Sequence, residues 1–336
     1  MPTRIALNGF GRIGRTIFKV IKDRNLPLEI VAINDLTAPS ELAYLLKYDS
    51  VHGVWPHEVS GTEDELIVDG KKYQCLKITD PAQMPWRDLK VEIAIDGTGR
   101  FTNREGAEKH LTAGARKVII TAPGKGMDAT FVIGVNDGTY DPRVHNIISN
   151  ASCTTNCLAP IASLLHDNFI IEHGLMTTIH AYTMDQRLQD SVHSDRRRSR
   201  AAAISMIPTT TGAARAVAEV IPELKGKLDG VAIRVPTPNV SLVDLVVTVG
   251  RDVTKEEVNK VLEEAANGPM KGILNFVKED LVSVDFNHTY WSSSVDSQLT
   301  NVIGGRMVKV FSWYDNEFGY SSRAADLAVM VGKSLA

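Results

Sequence analysis

Three glycines near the N-terminus constrain this chain more than any other feature. They lie in Asn8-Gly9-Phe10-Gly11-Arg12-Ile13-Gly14, a G-x-G-x-x-G spacing at Gly9, Gly11 and Gly14. Alone that pattern is weak. Here a short apolar run over residues 4–8 precedes it, and residues 12–22 follow with Ile13, Ile17, Val20 and Ile21 at helix spacing. A second apolar run, 29–34, leads into Asp35, 21 positions after Gly14. Strand, turn, helix, strand and acid, in that order, are the parts of a dinucleotide-binding unit. Gly9 permits the tight turn, Gly11 lets the backbone approach a pyrophosphate, and Gly14 lets the helix pack close to the strand. The helix N-terminus supplies partial positive charge and N–H donors. Asp35 can accept from ribose hydroxyls and would repel a 2′-phosphate, so NAD is expected over NADP. The bland alternative is a glycine-rich turn with an incidental acid.

The rest of the first half continues the alternation. Residues 41–47 suggest a short helix, and 66–76 suggest a hairpin turning at Asp69-Gly70. Residues 91–95, 117–121 and 146–149 predict three more short strands. Strands alternating with helices imply a parallel sheet covered on both faces. From Ala151 the texture changes. One helix is expected over 154–167, then a β-rich region with runs at 174–182, 230–235 and 240–249 that suits a mainly antiparallel sheet. Residues 185–205 are polar and Arg-rich and predict a long ordered loop, and 317–332 returns to helix spacing. The expected fold class is α/β: a Rossmann dinucleotide-binding domain over 1–150 and an α+β catalytic domain over 151–316, with a C-terminal helix over 317–336 that packs back on the first.

Composition narrows the function classes. Lys and Arg total 37 against 40 Asp and Glu, a net charge of −3 that gives no support to a dominant polyanion-binding surface. No apolar run approaches the ~20 residues that span a bilayer, and the N-terminus lacks the pattern of a secretory signal. Only Cys75, Cys153 and Cys157 are present, too few for a disulfide framework and suited to a reducing compartment. A cytoplasmic protein that binds neither nucleic acid nor membrane is expected. Neither C-x-x-C nor H-E-x-x-H occurs, so no metal is expected.

Cys153 carries the chemistry. It sits in Asn150-Ala151-Ser152-Cys153-Thr154-Thr155-Asn156-Cys157, with a strand ending before it and a helix starting after it. A thiol at a helix N-terminus feels the dipole and the N–H groups, so its pKa is expected to fall below about 8.5. Cys157, one turn further in, and Cys75, in the hairpin, suit small buried hydrophobes. A reactive thiolate needs a basic partner, and His180 ends the strand-like run Thr177-Thr178-Ile179-His180. By itself a lone histidine is more often structural than catalytic.

Taken together, NGFGRIGR, ASCTTNCLAP, IHAYT, PTTTGAA, RVPTPNVS and SWYDNE resemble the phosphorylating glyceraldehyde-3-phosphate dehydrogenase family, over essentially the whole chain. The resemblance implies that Cys153 attacks an aldehyde, that His180 takes the hydroxyl proton as hydride leaves for NAD, and that inorganic phosphate releases the resulting thioester. It implies a glyceraldehyde 3-phosphate phosphate held by Thr183 and Arg234. Ser152, Thr154, Arg198, Thr211 and Gly212 would serve the attacking phosphate and the substrate. Arg12, Ile13 and Thr121 would line the cofactor cleft beside Gly9, Gly11, Gly14 and Asp35, and Asn316 would orient the nicotinamide carboxamide. A homotetramer is implied as well. Of the Arg196–Arg200 run, only Arg198 is expected to act on ligand.

Three positions depart from the family pattern. Ser191-Val192 stands where strictly NAD-dependent members often have proline, which leaves some NADP use open, although Leu36 after Asp35 follows the NAD type. Thr79 replaces a basic residue often found near the adenine. Erythrose-4-phosphate dehydrogenase, a sister family, shares ASCTTNC and LVSVDFNH but usually lacks the AYT and TTTGAA segments present here. A cysteine hydrolase would also use thiolate and histidine, but it needs no hydride acceptor. A nucleotide- or RNA-binding module without catalysis leaves the catalytic set unused.

Overall fold

A computed structural model describes residues 1–335. The chain forms two compact units. One comprises Met1–Phe131, Gly138–Ala151 and the chain from Ser321 on; the other comprises Val132–Asp137 and Ser152–Tyr320.

The first unit is built on a nine-stranded sheet. Across it run Ala129–Thr130, Ile147–Ser149, Lys117–Ile120, Ile93–Asp96, Thr3–Asn8, Leu28–Asn34, Lys71–Leu76, Glu65–Val68 and Val59–Gly61. All neighbours pair in parallel as far as Lys71–Leu76; the last two strands add antiparallel. Ile93–Asp96 and Lys117–Ile120 are buried at every residue, as a sheet covered on both faces requires. The expected hairpin turns at Asp69 and Gly70, both at positive φ (48° and 77°), which matches the right-handed strand twist.

Thr3–Asn8 has Leu28–Asn34 on one side and Ile93–Asp96 on the other, so chain order reverses at its C-terminal end. That is where open parallel sheets bind ligands. A buried polar network ties the strand ends together there. Asn8 Nδ2 donates to Asp96 Oδ2 (2.7 Å), Asn34 Nδ2 to Asn8 Oδ1 (2.8 Å), and Trp86 Nε1 to His110 Nδ1 (3.0 Å). The last bond puts the His110 proton on Nε2, 3.1 Å from Asp96. The helix Phe318–Lys333 contributes its residues from Ser321 on to this unit, where Asp326 pairs with Arg24 at 3.0 Å.

The second unit has an eight-stranded sheet in the order Ile207–Thr210, Leu228–Val235, Ile171–Ala181, Ser241–Val249, Met307–Tyr314, Ser293–Asp296 and Leu274–Val277, with Asn301–Ile303 alongside Met307–Tyr314. It is antiparallel except for two parallel pairs, Ile171–Ala181 with Leu228–Val235 and Leu274–Val277 with Ser293–Asp296. Ser241–Val249 alternates buried and half-buried residues along its length, the signature of one covered face. The long helix Cys153–Phe169 starts one residue before the expected position and buries Cys157, Leu158, Ile161 and Leu165. Residues 185–205 form the expected long loop, held by ion pairs such as Arg200–Asp190 (2.8 Å). No helix among the described residues is long and apolar enough to cross a membrane.

Candidate active site

The glycine loop of the first unit explains each of its glycines differently. Gly9 has φ +88°, and a Cβ there would fall 2.8 Å from Thr98 N. A Cβ on Gly14 would fall 2.1 Å from Gly9 O, so helix Arg12–Asp23 could not sit this close to the turn. Gly11 has nothing within 4 Å of its Cβ position: no protein atom demands a glycine there. The bare backbone leaves that side open to a ligand. No side chain caps the helix and its first turn has no acid, so its N-terminus suits a pyrophosphate. Asp35 is fixed by accepting from Phe10 N (2.8 Å) and Thr37 N (3.0 Å). These residues fit a dinucleotide. Arg12 directs its side chain to Asp49 at 2.9 Å, so any part it plays toward a pyrophosphate falls to its backbone. Ile13 is in the same first turn. Thr121 is half-buried; its Oγ1 donates to Asp96 O (3.0 Å) and lies 3.7 Å from the Cβ position of Gly97.

In the second unit Cys153 opens the helix Cys153–Phe169. Ser152 caps it, its Oγ accepting from Thr155 N at 3.0 Å. His180 is 4% exposed and brings Nε2 to 3.5 Å from Cys153 Sγ. Strand register supplies the third member. His180 faces Arg234 across the parallel pair Ile171–Ala181/Leu228–Val235, and Arg234 Nη1 donates to His180 Nδ1 at 2.8 Å. Thr183 Oγ1 lies 3.5 Å from the same Nη1. Arg234 Nε is buried with no hydrogen-bond partner among the described residues, a donor positioned for an anion.

Asn316 is tied to this group through Ser241. Ala181 N donates to Ser241 Oγ (3.1 Å), which donates to Asn316 Oδ1 (2.8 Å). The amide oxygen is thereby committed, and its NH₂ is the end left to donate. Arg198 lies in the loop, bonded to Thr209 Oγ1 by Nε (3.0 Å) and Nη2 (2.9 Å), and to Asp185 by Nη1. Thr211 Oγ1 accepts from Ala213 N (3.2 Å), and Gly212 opens the helix Ala213–Val220. Thr155 Oγ1 donates to Ala213 O at 3.4 Å, so the starts of two helices lie together.

The expected fall in the Cys153 pKa is not met. Cys153 is half-buried, and the protein packed around its sulfur pushes the thiol up against the opposing pull of the Arg234 guanidinium and the Thr154 N–H. Burial first, then Arg234, pushes His180 down to about 3. Each group alone resists its charge. Charged together, thiolate and imidazolium offset one another's desolvation, so passing the thiol proton to Nε2, with the ring's other proton on Nδ1 toward Ala181 O (2.7 Å), is the accessible route to a nucleophile. Cys157 is fully buried and pushed up to about 12, and Cys75 to about 11; both are inert at neutral pH.

Sequence reasoning missed two contributors. Tyr314, within SWYDNE, bridges Thr154 Oγ1 and Thr178 Oγ1 at 2.9 Å each and sets its ring edge-on to His180. The Arg234–His180 contact depends on sheet register, which no local motif encodes.

A nucleotide loop at a sheet's switch point, and a thiol–imidazole–guanidinium cluster in the other unit, are the parts of a dinucleotide-dependent oxidoreductase that works through a covalent sulfur adduct. Comparison with known proteins gives the family. The model of the glyceraldehyde 3-phosphate dehydrogenase NAD binding domain matches residues 3–104, and that of the C-terminal domain matches 152–316. A glyceraldehyde-3-phosphate dehydrogenase of Geobacillus stearothermophilus is 56% identical over 331 residues, 98% of each chain. Glyceraldehyde-3-phosphate dehydrogenase 1 of Bacillus subtilis is 55% identical over 99% of each chain, and that of Streptomyces coelicolor 53% over the whole of both. The chain belongs to the glyceraldehyde-3-phosphate dehydrogenase family, and its N-terminal part is an NAD-binding domain.

Proposed function

We propose that the protein oxidises glyceraldehyde 3-phosphate with NAD and inorganic phosphate, giving 1,3-bisphosphoglycerate and NADH through a thioester on Cys153. The observation that carries this is the 3.5 Å approach of His180 Nε2 to Cys153 Sγ, with Arg234 directly opposite His180 on the neighbouring strand. Sγ adds to the aldehyde carbon. The new oxyanion is met by the Cys153 N–H and the His180 ring. His180 then removes the hydroxyl proton as the C–H electron pair leaves, a role that typically contributes about 10²–10⁴-fold. NAD, when bound, supplies the two-electron acceptor; Gly9, Gly11, Ile13, Gly14, Asp35, Thr121 and the Arg12 backbone hold it, and Asn316 orients its carboxamide. Thr183 and Arg234 hold the substrate phosphate. Ser152, Thr154, Arg198, Thr211 and Gly212 serve the attacking phosphate and the substrate, beside the two helix starts.

In domain terms, 1–150 with the helix of 317–336 binds NAD, and 151–316 carries the catalysis. The relatives' names favour glyceraldehyde 3-phosphate over erythrose 4-phosphate as substrate. A cytoplasmic homotetramer is the working form we propose. Its support is the apolar residues on the loop and just beyond it: Met184, Leu188, Val192, Ile204 and Met206 are each at least 74% exposed. Light scattering checks the assembly.

The deciding experiment follows NADH absorbance with NAD and glyceraldehyde 3-phosphate, with and without inorganic phosphate. Sustained, phosphate-dependent production is expected. Faster turnover of erythrose 4-phosphate would overturn the substrate assignment.

A further inference from the structure

Arg234 touches more than a phosphate site. Its Nη1 donates to His180 Nδ1 at 2.8 Å and to Ala181 O at 3.0 Å, while Nδ1 itself lies 2.7 Å from that same oxygen. A guanidinium has only donors to offer. Nδ1 can therefore accept from Arg234 or carry a proton to Ala181 O, but not both. The other ring nitrogen must follow. With Arg234 on Nδ1, the neutral ring keeps its proton on Nε2 and is a donor toward Cys153. With the proton on Nδ1, Nε2 presents a lone pair. A base that takes the hydroxyl proton of a Cys153 adduct needs the second arrangement. An imidazolium, protonated on both nitrogens, likewise requires the guanidinium to leave.

We propose that Arg234 is a positioning residue that ties phosphate recognition to the base: a substrate phosphate drawn onto the guanidinium takes Nη1 off Nδ1, the ring proton moves to face Ala181 O, and Nε2 becomes the acceptor. This rests on the reading of Arg234 as a ligand of the substrate phosphate. The proton then balances simply. The adduct O–H bond breaks, an Nε2–H bond forms, the C–H pair leaves to the oxidant of the reaction, and the thioester C=O forms. An aldehyde without a phosphate leaves Arg234 on Nδ1 and meets a ring turned the wrong way.

The groups facing His180 are few. Cys153 comes from the helix Cys153–Phe169, Arg234 from Leu228–Val235, and the Tyr314 ring from Met307–Tyr314 at 6.0 Å. Burial keeps the Tyr314 hydroxyl protonated. Further out, Arg198 and Asp185 act on Arg234 with opposite signs.

The test is the NADH burst of the first turnover, which precedes phosphate attack on the thioester. The full-length protein with NAD is mixed with glyceraldehyde 3-phosphate or with unphosphorylated glyceraldehyde, across pH 5 to 9. Neutralising a nearby positive charge raises the proton affinity of an imidazole. The acid limb of the burst rate is therefore expected about one pH unit higher with the phosphorylated substrate. Sodium phosphite added with glyceraldehyde should raise its burst about tenfold and move its limb the same way. Arg234→Gln should abolish both the phosphite effect and the difference between limbs. Coincident limbs for the two substrates in the unaltered protein would overturn the coupling, as would a limb difference that survives in Arg234→Gln. Absence of any burst with glyceraldehyde 3-phosphate would instead overturn the proposed function.

Discussion

The glycine loop and the thiol cluster solve opposite problems. The loop is a backbone device, made of consecutive residues, and its work is to keep side chains out. The cluster is a side-chain device, assembled from Cys153, His180 and Arg234, which lie on a helix and two strands far apart in the chain. The loop's geometry follows from local sterics: remove the Cβ at Gly14 and the helix closes on the turn. The cluster's geometry follows from tertiary register: His180 meets Arg234 because Ile171–Ala181 and Leu228–Val235 pair in parallel at that offset. A local device fails by distortion, a register device by loss of one functional group.

The largest effect should come from the cluster. Cys153→Ser replaces a polarisable sulfur with a hydroxyl that has no comparable nucleophilicity at neutral pH. NADH production should fall by about 10⁴-fold or more, while NAD binding, measured by calorimetry, stays within about twofold, a change of about 0.4 kcal/mol. Near-normal turnover would break the comparison outright, because the sulfur would then be a bystander.

Next comes a pair of substitutions within the loop. Gly14→Ala pushes a methyl to 2.1 Å from a backbone oxygen that cannot swing away. The expected cost is about 3 kcal/mol of stability, seen in denaturant unfolding, together with loss of NAD affinity. Gly11→Ala meets no protein atom within 4 Å. Unfolding should be nearly unchanged, and NAD should bind about tenfold or more weakly, which is 1.4 kcal/mol. Equal damage to folding by both would show that Gly11 serves the fold rather than a ligand.

Tyr314→Phe tests how the cluster is framed. The lost hydroxyl leaves Thr154 Oγ1 and Thr178 Oγ1 without the bonds they make to it. Buried hydroxyls stripped of a partner cost about 1–3 kcal/mol, so a lower melting temperature is expected. If the burst rate also falls while the melting temperature holds, Tyr314 acts on His180 directly.

The same contrast decides what was legible in the sequence. Gly9, Gly11, Gly14 and Asp35 announced a nucleotide loop because a local device writes its requirement into adjacent letters. The Asp69-Gly70 hairpin was legible for the same reason. So, in principle, was the helix Lys255–Asn267: its Thr254/Glu257 capping box sits in the sequence as T-K-E-E, a signal that went unused. Cys153 is legible from its helix start, but the direction of its pKa shift is not, because burial is set by what packs over that start. The Arg234–His180 contact was out of reach, since pairing offset between strands more than 50 residues apart is a property of the whole sheet.

The last test concerns pH, and it discriminates between two protonation states of the cluster. With His180 folded at about 3 against an ordinary value near 6.5, the unfolded chain binds the extra proton first. Stability from this residue is then full above about pH 6.5 and drains away as pH falls from there toward 3. Between pH 7 and 5 the loss approaches about 2 kcal/mol at one proton per molecule, less whatever a thiolate partner returns. Comparing the unaltered protein with His180→Gln over that window cancels the other titrating groups, so the difference in unfolding free energy should shrink as pH drops. A difference that grows instead would mean that the folded cluster binds a proton more readily than the unfolded chain over this window, with His180 carrying an extra proton and the Arg234 contact to Nδ1 displaced. The register device would then be charged at rest, and the phosphate of the substrate would have less to rearrange.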